Sequence, residues 1–99
     1  MIARHLLGLG VAAALAFATP ASAVEVRGAG ATFPAPLYQA WIDDFRDVRP
    51  EVRVSYDAVG SGEGVRRFVD GEADFGASDA AMTDAEIARV DGNVHLIPA

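Results

Sequence analysis

Residues 24–36 read VEVRGAGATFPAP. Val24-Glu25-Val26-Arg27 alternates apolar and polar side chains, as a half-buried strand does. Two glycines, Gly28 and Gly30, come at once, and glycine lets backbone approach whatever lies nearby. Pro34 and Pro36 then stand where a helix could begin, because proline in a first turn fixes φ and gives up only an N–H that has no partner there. A strand, a glycine hinge and a proline-started helix form the first half of a β-α-β unit.

Working outward, the same alternation recurs along the chain. Leu37, Trp41, Phe45 and Val48 are spaced four, four and three apart, which predicts one apolar face of a helix from Pro34 to about Val48, with Trp41 and Phe45 in the core stripe. Arg49-Pro50 ends it. Residues 51–59 alternate again as a second strand, Gly60 to Gly64 reads as a glycine-rich turn, and Val65, Phe68 and Val69 mark a short helix. Ala73 to Ala77 suggests a brief third strand, and Thr83-Asp84-Ala85-Glu86 has the form of a capping box opening a helix to about Val90. The order predicts an α/β fold: a parallel sheet with helices packed on its faces.

The first 23 residues stand apart from this pattern. MIARHLLGLGVAAALAFATPASA begins with Arg4 and His5, continues as an uncharged run from Leu6 to Thr19 and closes on Ala21-Ser22-Ala23. These are the parts of a secretory signal peptide, with cleavage expected after Ala23. The chain is therefore expected to be exported. Loss of Arg4 with the leader leaves 7 basic against 14 acidic residues, a net of −7. Such a balance disfavours nucleic acid or an anionic membrane as partner. It does not disfavour a small anion, since backbone N–H groups and helix N-termini can make a local site while distant charges are screened. The remainder, residues 24–99, has no cysteine and is near the size at which burial alone stabilises a fold marginally. The ending, Asn93 to Ala99, reads as a strand without a partner, as in a piece of a longer chain.

In parallel sheets ligands bind beyond the carboxyl ends of the strands. Three loops qualify: Gly28 to Phe33, Gly60 to Gly64, and the segment that begins with Ser78-Asp79. Thr32 offers a hydroxyl and stands where it could cap the first helix. Ser61, between two glycines, offers a hydroxyl in a turn whose N–H groups could converge on an anion. Asp79 offers an acceptor. Each has a plain structural reading too: a cap, a turn, a surface loop. Taken together they point to a small-ligand binder.

Other chemistries find little support. No Gly-Lys-Ser or Gly-Lys-Thr comes after the glycines, and the dinucleotide pattern has Phe33 where its third glycine belongs. His95 is the one histidine beyond the leader, too little for a metal site or a nucleophile–base pair, and Arg66 and Arg67 read as a solvated face. No metal, no cofactor and no enzymatic activity are expected.

Three motifs carry a family resemblance: Gly28-Ala29-Gly30-Ala31-Thr32-Phe33-Pro34-Ala35-Pro36, Gly60-Ser61-Gly62-Glu63-Gly64 and Asp74-Phe75-Gly76-Ala77-Ser78-Asp79. In this order and spacing they resemble the periplasmic phosphate-binding proteins of bacterial phosphate ABC transporters. The resemblance implies the first part of one lobe of a two-lobe clamshell, with 1–23 as signal peptide and 24–99 as the start of the phosphate-binding domain. It implies that inorganic phosphate is held by the Thr32 hydroxyl, the Phe33 N–H, the Ser61 hydroxyl and the Asp79 carboxylate, which accepts the proton of hydrogen phosphate. It also implies delivery to a membrane permease driven by an ATPase. The chain alone is then expected to bind phosphate weakly or not at all. Glu63 departs from the small residue often found at that place and must point away from the anion. Another oxyanion or an organic phosphate as ligand, or a sensor or adhesin role, are the alternatives on the same scaffold.

Overall fold

The computed structural model describes residues 23–98. The signal-peptide expectation lies outside the described residues. Six elements alternate along the chain: β1 (Val24–Gly30), α1 (Ala35–Val48), β2 (Val52–Ala58), α2 (Ser61–Val69), β3 (Phe75–Ala77) and α3 (Asp84–Ala88). The three strands form one sheet in the order β2-β1-β3, and both pairings are parallel. The expected α/β architecture is what the chain adopts.

Register fixes which side chains share a face. Gly28 lies opposite Tyr56 and Phe75, and Ala29 lies opposite Asp57 and Gly76. Successive residues of a strand point to opposite faces. On the Gly28 face, the Tyr56 ring meets Tyr38 of α1 edge-on at 5.0 Å and stacks on Phe75 at 6.1 Å. On the Ala29 face, Gly76 faces the backbone of Gly64 and Phe68 Cβ of α2. The first two helices therefore cover opposite sides of the sheet, as right-handed crossovers that run in opposite directions along it, β1 to β2 and then β2 to β3, require.

The α2 side is close-packed. A Cβ placed on Gly64 would stand 2.3 Å from Gly30 Cα and 2.7 Å from the Ala29 carbonyl oxygen, so glycine is what lets this helix reach the strand. The α1 side is open. Trp41 is 57% exposed and Phe45 40%, while Ile42 is the one buried residue of α1. The expectation that Trp41 and Phe45 sit in the core is thus corrected. Their periodicity is helical, but α1 packs on edge strand β2, and the apolar stripe extends past it beside Val54 and Phe75 into a cleft with no covering layer among the described residues.

Three local readings also change. The glycine-rich turn reduces to Gly60, at φ 96°, because α2 already begins at Ser61. The α3 helix carries the expected capping box but ends at Ala88 rather than Val90. Residues 93–98 join no strand, and Leu96 and Ile97 are exposed.

Candidate anion site at the carboxyl edge

Three strands finish level with one another. Gly30, at the end of β1, is in register with Ala58 of β2 and Ala77 of β3. Backbone hydrogen bonds then tie the loops that leave this edge. The N–H groups of Val59 and Gly60 both donate to the Gly30 carbonyl, at 3.0 and 2.9 Å, and the Ala31 N–H donates to the Ala77 carbonyl at 2.9 Å. The Tyr56 hydroxyl donates to the Ala31 carbonyl. That bond anchors the chain one residue before Thr32, and burial of the ring pushes the Tyr56 hydroxyl above its ordinary pKa.

The first loop leaves its polar groups uncommitted. Thr32 does not cap α1: Pro34 occupies the cap position and makes no side-chain bond. The Thr32 carbonyl accepts from the Ala35 N–H at 3.2 Å, which closes the turn without the hydroxyl. Among the described residues, the Thr32 hydroxyl and the Phe33 N–H have no hydrogen-bond partner. Both residues are exposed, Phe33 at 74%.

The second and third loops are joined directly. The Asp79 N–H donates to Ser61 Oγ at 3.2 Å. This leaves the hydroxyl proton of Ser61 free to donate elsewhere. Ser61 opens α2, with Gly60 as its cap and no side-chain cap bond, so the N–H groups of Ser61, Gly62 and Glu63 lack intrahelical acceptors. The helix dipole adds positive potential there. The Asp79 carboxylate has no ion-pair or hydrogen-bond partner among the described residues. Ser78 Oγ accepts from the Ala80 N–H at 3.1 Å and shapes the turn after Asp79.

The structure thus brings Ser61 and Asp79 into contact and places Thr32 and Phe33 on the neighbouring loop of the same edge. The loops of this edge carry neutral donors and one carboxylate, a set that suits an anion carrying a proton of its own. The Glu63 carboxylate is taken up by two arginines of its own helix. It accepts from Arg66 Nε and Nη2 at 3.0 and 2.7 Å and from Arg67 Nε at 3.1 Å. These bonds hold it well below its ordinary pKa, at about 2.

Two contributors escape a reading of the sequence. Tyr56 counts there as one apolar position of a strand, and nothing in its spacing reveals that its hydroxyl spans to Ala31. Arg66 and Arg67 are more than a solvated face, because they gather Glu63, Asp57, Asp70 and Glu72. The i, i+3 and i, i+4 spacing from Glu63 is the signal that could have found them.

Similar proteins carry the same segment. The chain is 38% identical over 73 residues to the phosphate-binding protein PstS of Pasteurella multocida, covering 74% of this chain and 21% of that one. It is 36% identical over 64 residues to PstS of Methanocaldococcus jannaschii, covering 65% of this chain and 16% of that one. The crystal structure of PstS from Borrelia burgdorferi superposes with a TM-score of 0.63 at 25% identity, covering 66% of this chain and 26% of its own. The chain therefore spans about a fifth of the length of the curated relatives it matches. A family described as the PBP superfamily domain matches residues 16–98, and with that match over most of its length the chain belongs to this family.

Proposed function

We propose that this chain forms one side of an inorganic-phosphate site in an exported, periplasmic binding protein that hands phosphate to the permease and ATPase of an ABC importer. It binds and releases; it performs no covalent chemistry. The observation that carries the reading is the bond from the Asp79 N–H to Ser61 Oγ, which joins the loop that bears the carboxylate to the hydroxyl that opens α2 and so supports a shared site there. Thr32 Oγ1 and the Phe33 N–H supply further donors from the adjacent loop. The names of the similar proteins support phosphate as the ligand.

Each group has a distinct part. Thr32, Phe33 and Ser61 donate to phosphate oxygens, and the first-turn N–H groups of α2 add field and further donors. Asp79 accepts the proton of hydrogen phosphate. Sulfate has no proton to give, so its oxygen would meet the carboxylate as an unbonded like charge, and selectivity arises from that repulsion. A one-sided, exposed site leaves much of the anion in water, so the affinity of this chain is expected to be weak, at about 1 mM.

Phosphate titration followed through backbone amide resonances tests this. Saturable shifts are expected at Phe33, at Ser61 to Glu63 and at Asp79. Shifts spread evenly over the basic surface, or none as phosphate is raised to about fifty times that affinity, would overturn the assignment.

A further inference from the structure

Two helices in this chain carry a glutamate at the same place, and the two side chains behave oppositely. In α3 the cap is Thr83, and Glu86, three residues on, turns back to accept from the Thr83 N–H at 2.8 Å, closing the helix start. In α2 the cap is Gly60, and Glu63 is also three residues on. Side chains of a helix lean toward its N-terminus, so backward reach is the ordinary course for a carboxylate here. Glu63 instead is gripped through both oxygens by Arg66 and through one by Arg67. Arg67 is itself fixed by Asp57 at 3.0 Å, and Arg66 by Asp70 and Glu72 at 2.9 and 3.0 Å.

Two features make this grip consequential. The Gly60 N–H, the ordinary target of such a glutamate, is already committed to the Gly30 carbonyl at 2.9 Å. A Glu63 released from its arginines would be left, at the third position of the helix, within reach of the remaining first-turn N–H groups beside Ser61. Those are the groups assigned to phosphate, and a carboxylate there both covers donors and repels the anion. The ion pairs are largely exposed, with side-chain exposures of 47% for Arg66 and 29% for Arg67, and such pairs add little to folding. Their consequence is where they put the charge.

We infer that Arg66 and Arg67 are positioning residues of the anion site: they hold the Glu63 carboxylate off the N-terminus of α2 and so keep that terminus open and unrepelled. Neither arginine touches the anion. The inference rests on the phosphate reading above, and it deepens that reading by naming a clamp that sets affinity from outside the contact set.

The test is a phosphate titration, read at the Phe33, Gly62 and Asp79 amides, for the wild-type chain and for R66Q/R67Q, R66Q/R67Q/E63A and R66K/R67K. The double Gln variant should bind about fivefold more weakly at low salt, the size expected of one unscreened like charge near the site. Adding E63A to the double variant should restore affinity, because the charge to be restrained is gone. The lysine pair should retain part of the effect, keeping charge without the planar fork. Raising salt should shrink the double variant's defect, which a loss of folding would not do. The inference is overturned if the double Gln defect persists without Glu63, or if no defect appears. If the wild type itself shows no saturable shift, the phosphate reading fails and takes this inference with it.

Discussion

The two faces of the sheet are packed to different standards. On the α2 face, Gly64 sits against Gly30 with no room for a methyl group, and the loops beyond are cross-tied by hydrogen bonds from Val59, Gly60 and Ala31. On the α1 face, Trp41 and Phe45 remain exposed beside a cleft that nothing covers among the described residues, and Leu37 is exposed as well. The well-packed face is the one that carries the N-terminus of α2 to the candidate site. Close packing thus stands behind the donors at the start of α2, while the α1 face keeps much of its apolar area open.

Substitutions probe that contrast, beginning with the largest effect. Gly64→Ala drives a methyl group into Gly30 Cα and the Ala29 carbonyl, both backbone and unable to yield cheaply; a loss of about 3 kcal/mol or more is expected in chemical denaturation. Tyr56→Phe leaves the Ala31 carbonyl without its hydroxyl partner and should cost about 1 kcal/mol. Its sharper readout is a weaker phosphate response at Phe33, since the loop that carries Thr32 is loosened. On the other face, Trp41→Ala should cost about 1 kcal/mol or less, far below the roughly 3–5 kcal/mol usual for a core tryptophan, because the ring is already 57% exposed. A loss as large as that of Gly64→Ala would show that the α1 face is covered in solution. Gly62→Ala, two residues from Gly64 but with nothing within 4 Å, should stabilise α2 by up to about 1 kcal/mol.

Acid offers a smaller, separate probe of the α2 face. The arginines lower the Glu63 pKa from 4.5 to about 2 in the folded chain. A depressed carboxyl pKa contributes stability that is complete above pH 4.5 and is lost as pH falls from 4.5 toward 2. Thermal melting across that window should fall less steeply in Glu63→Gln than in the wild type, and identical slopes would deny the clamp any energetic reality.

The element order and the parallel sheet are legible in two periodicities of the sequence, and the three carboxyl-edge loops in the rule that goes with such a sheet. Features that depend on a third dimension are not. Helical spacing places Trp41 and Phe45 on one face, but spacing is silent on whether another layer lies over that face. The Gly60–Gly64 run suggests a turn because glycine disfavours helix, yet Gly64 is in α2 for its missing Cβ, a reason set by Gly30 across the interface. Ser61 and Asp79 can each be named from sequence, and only folding joins the hydroxyl of one to the N–H of the other.

Asp79 offers the most direct measurement. Phosphate and sulfate affinities should be measured side by side for the wild type and Asp79→Asn, near neutral pH and at fixed ionic strength. If Asp79 accepts the proton of hydrogen phosphate, the wild type favours phosphate and the variant loses that preference by about tenfold, mainly through tighter sulfate binding as the like charge disappears. An unchanged phosphate-to-sulfate ratio would contradict the role of Asp79 and, with it, the assignment of this edge as a phosphate site.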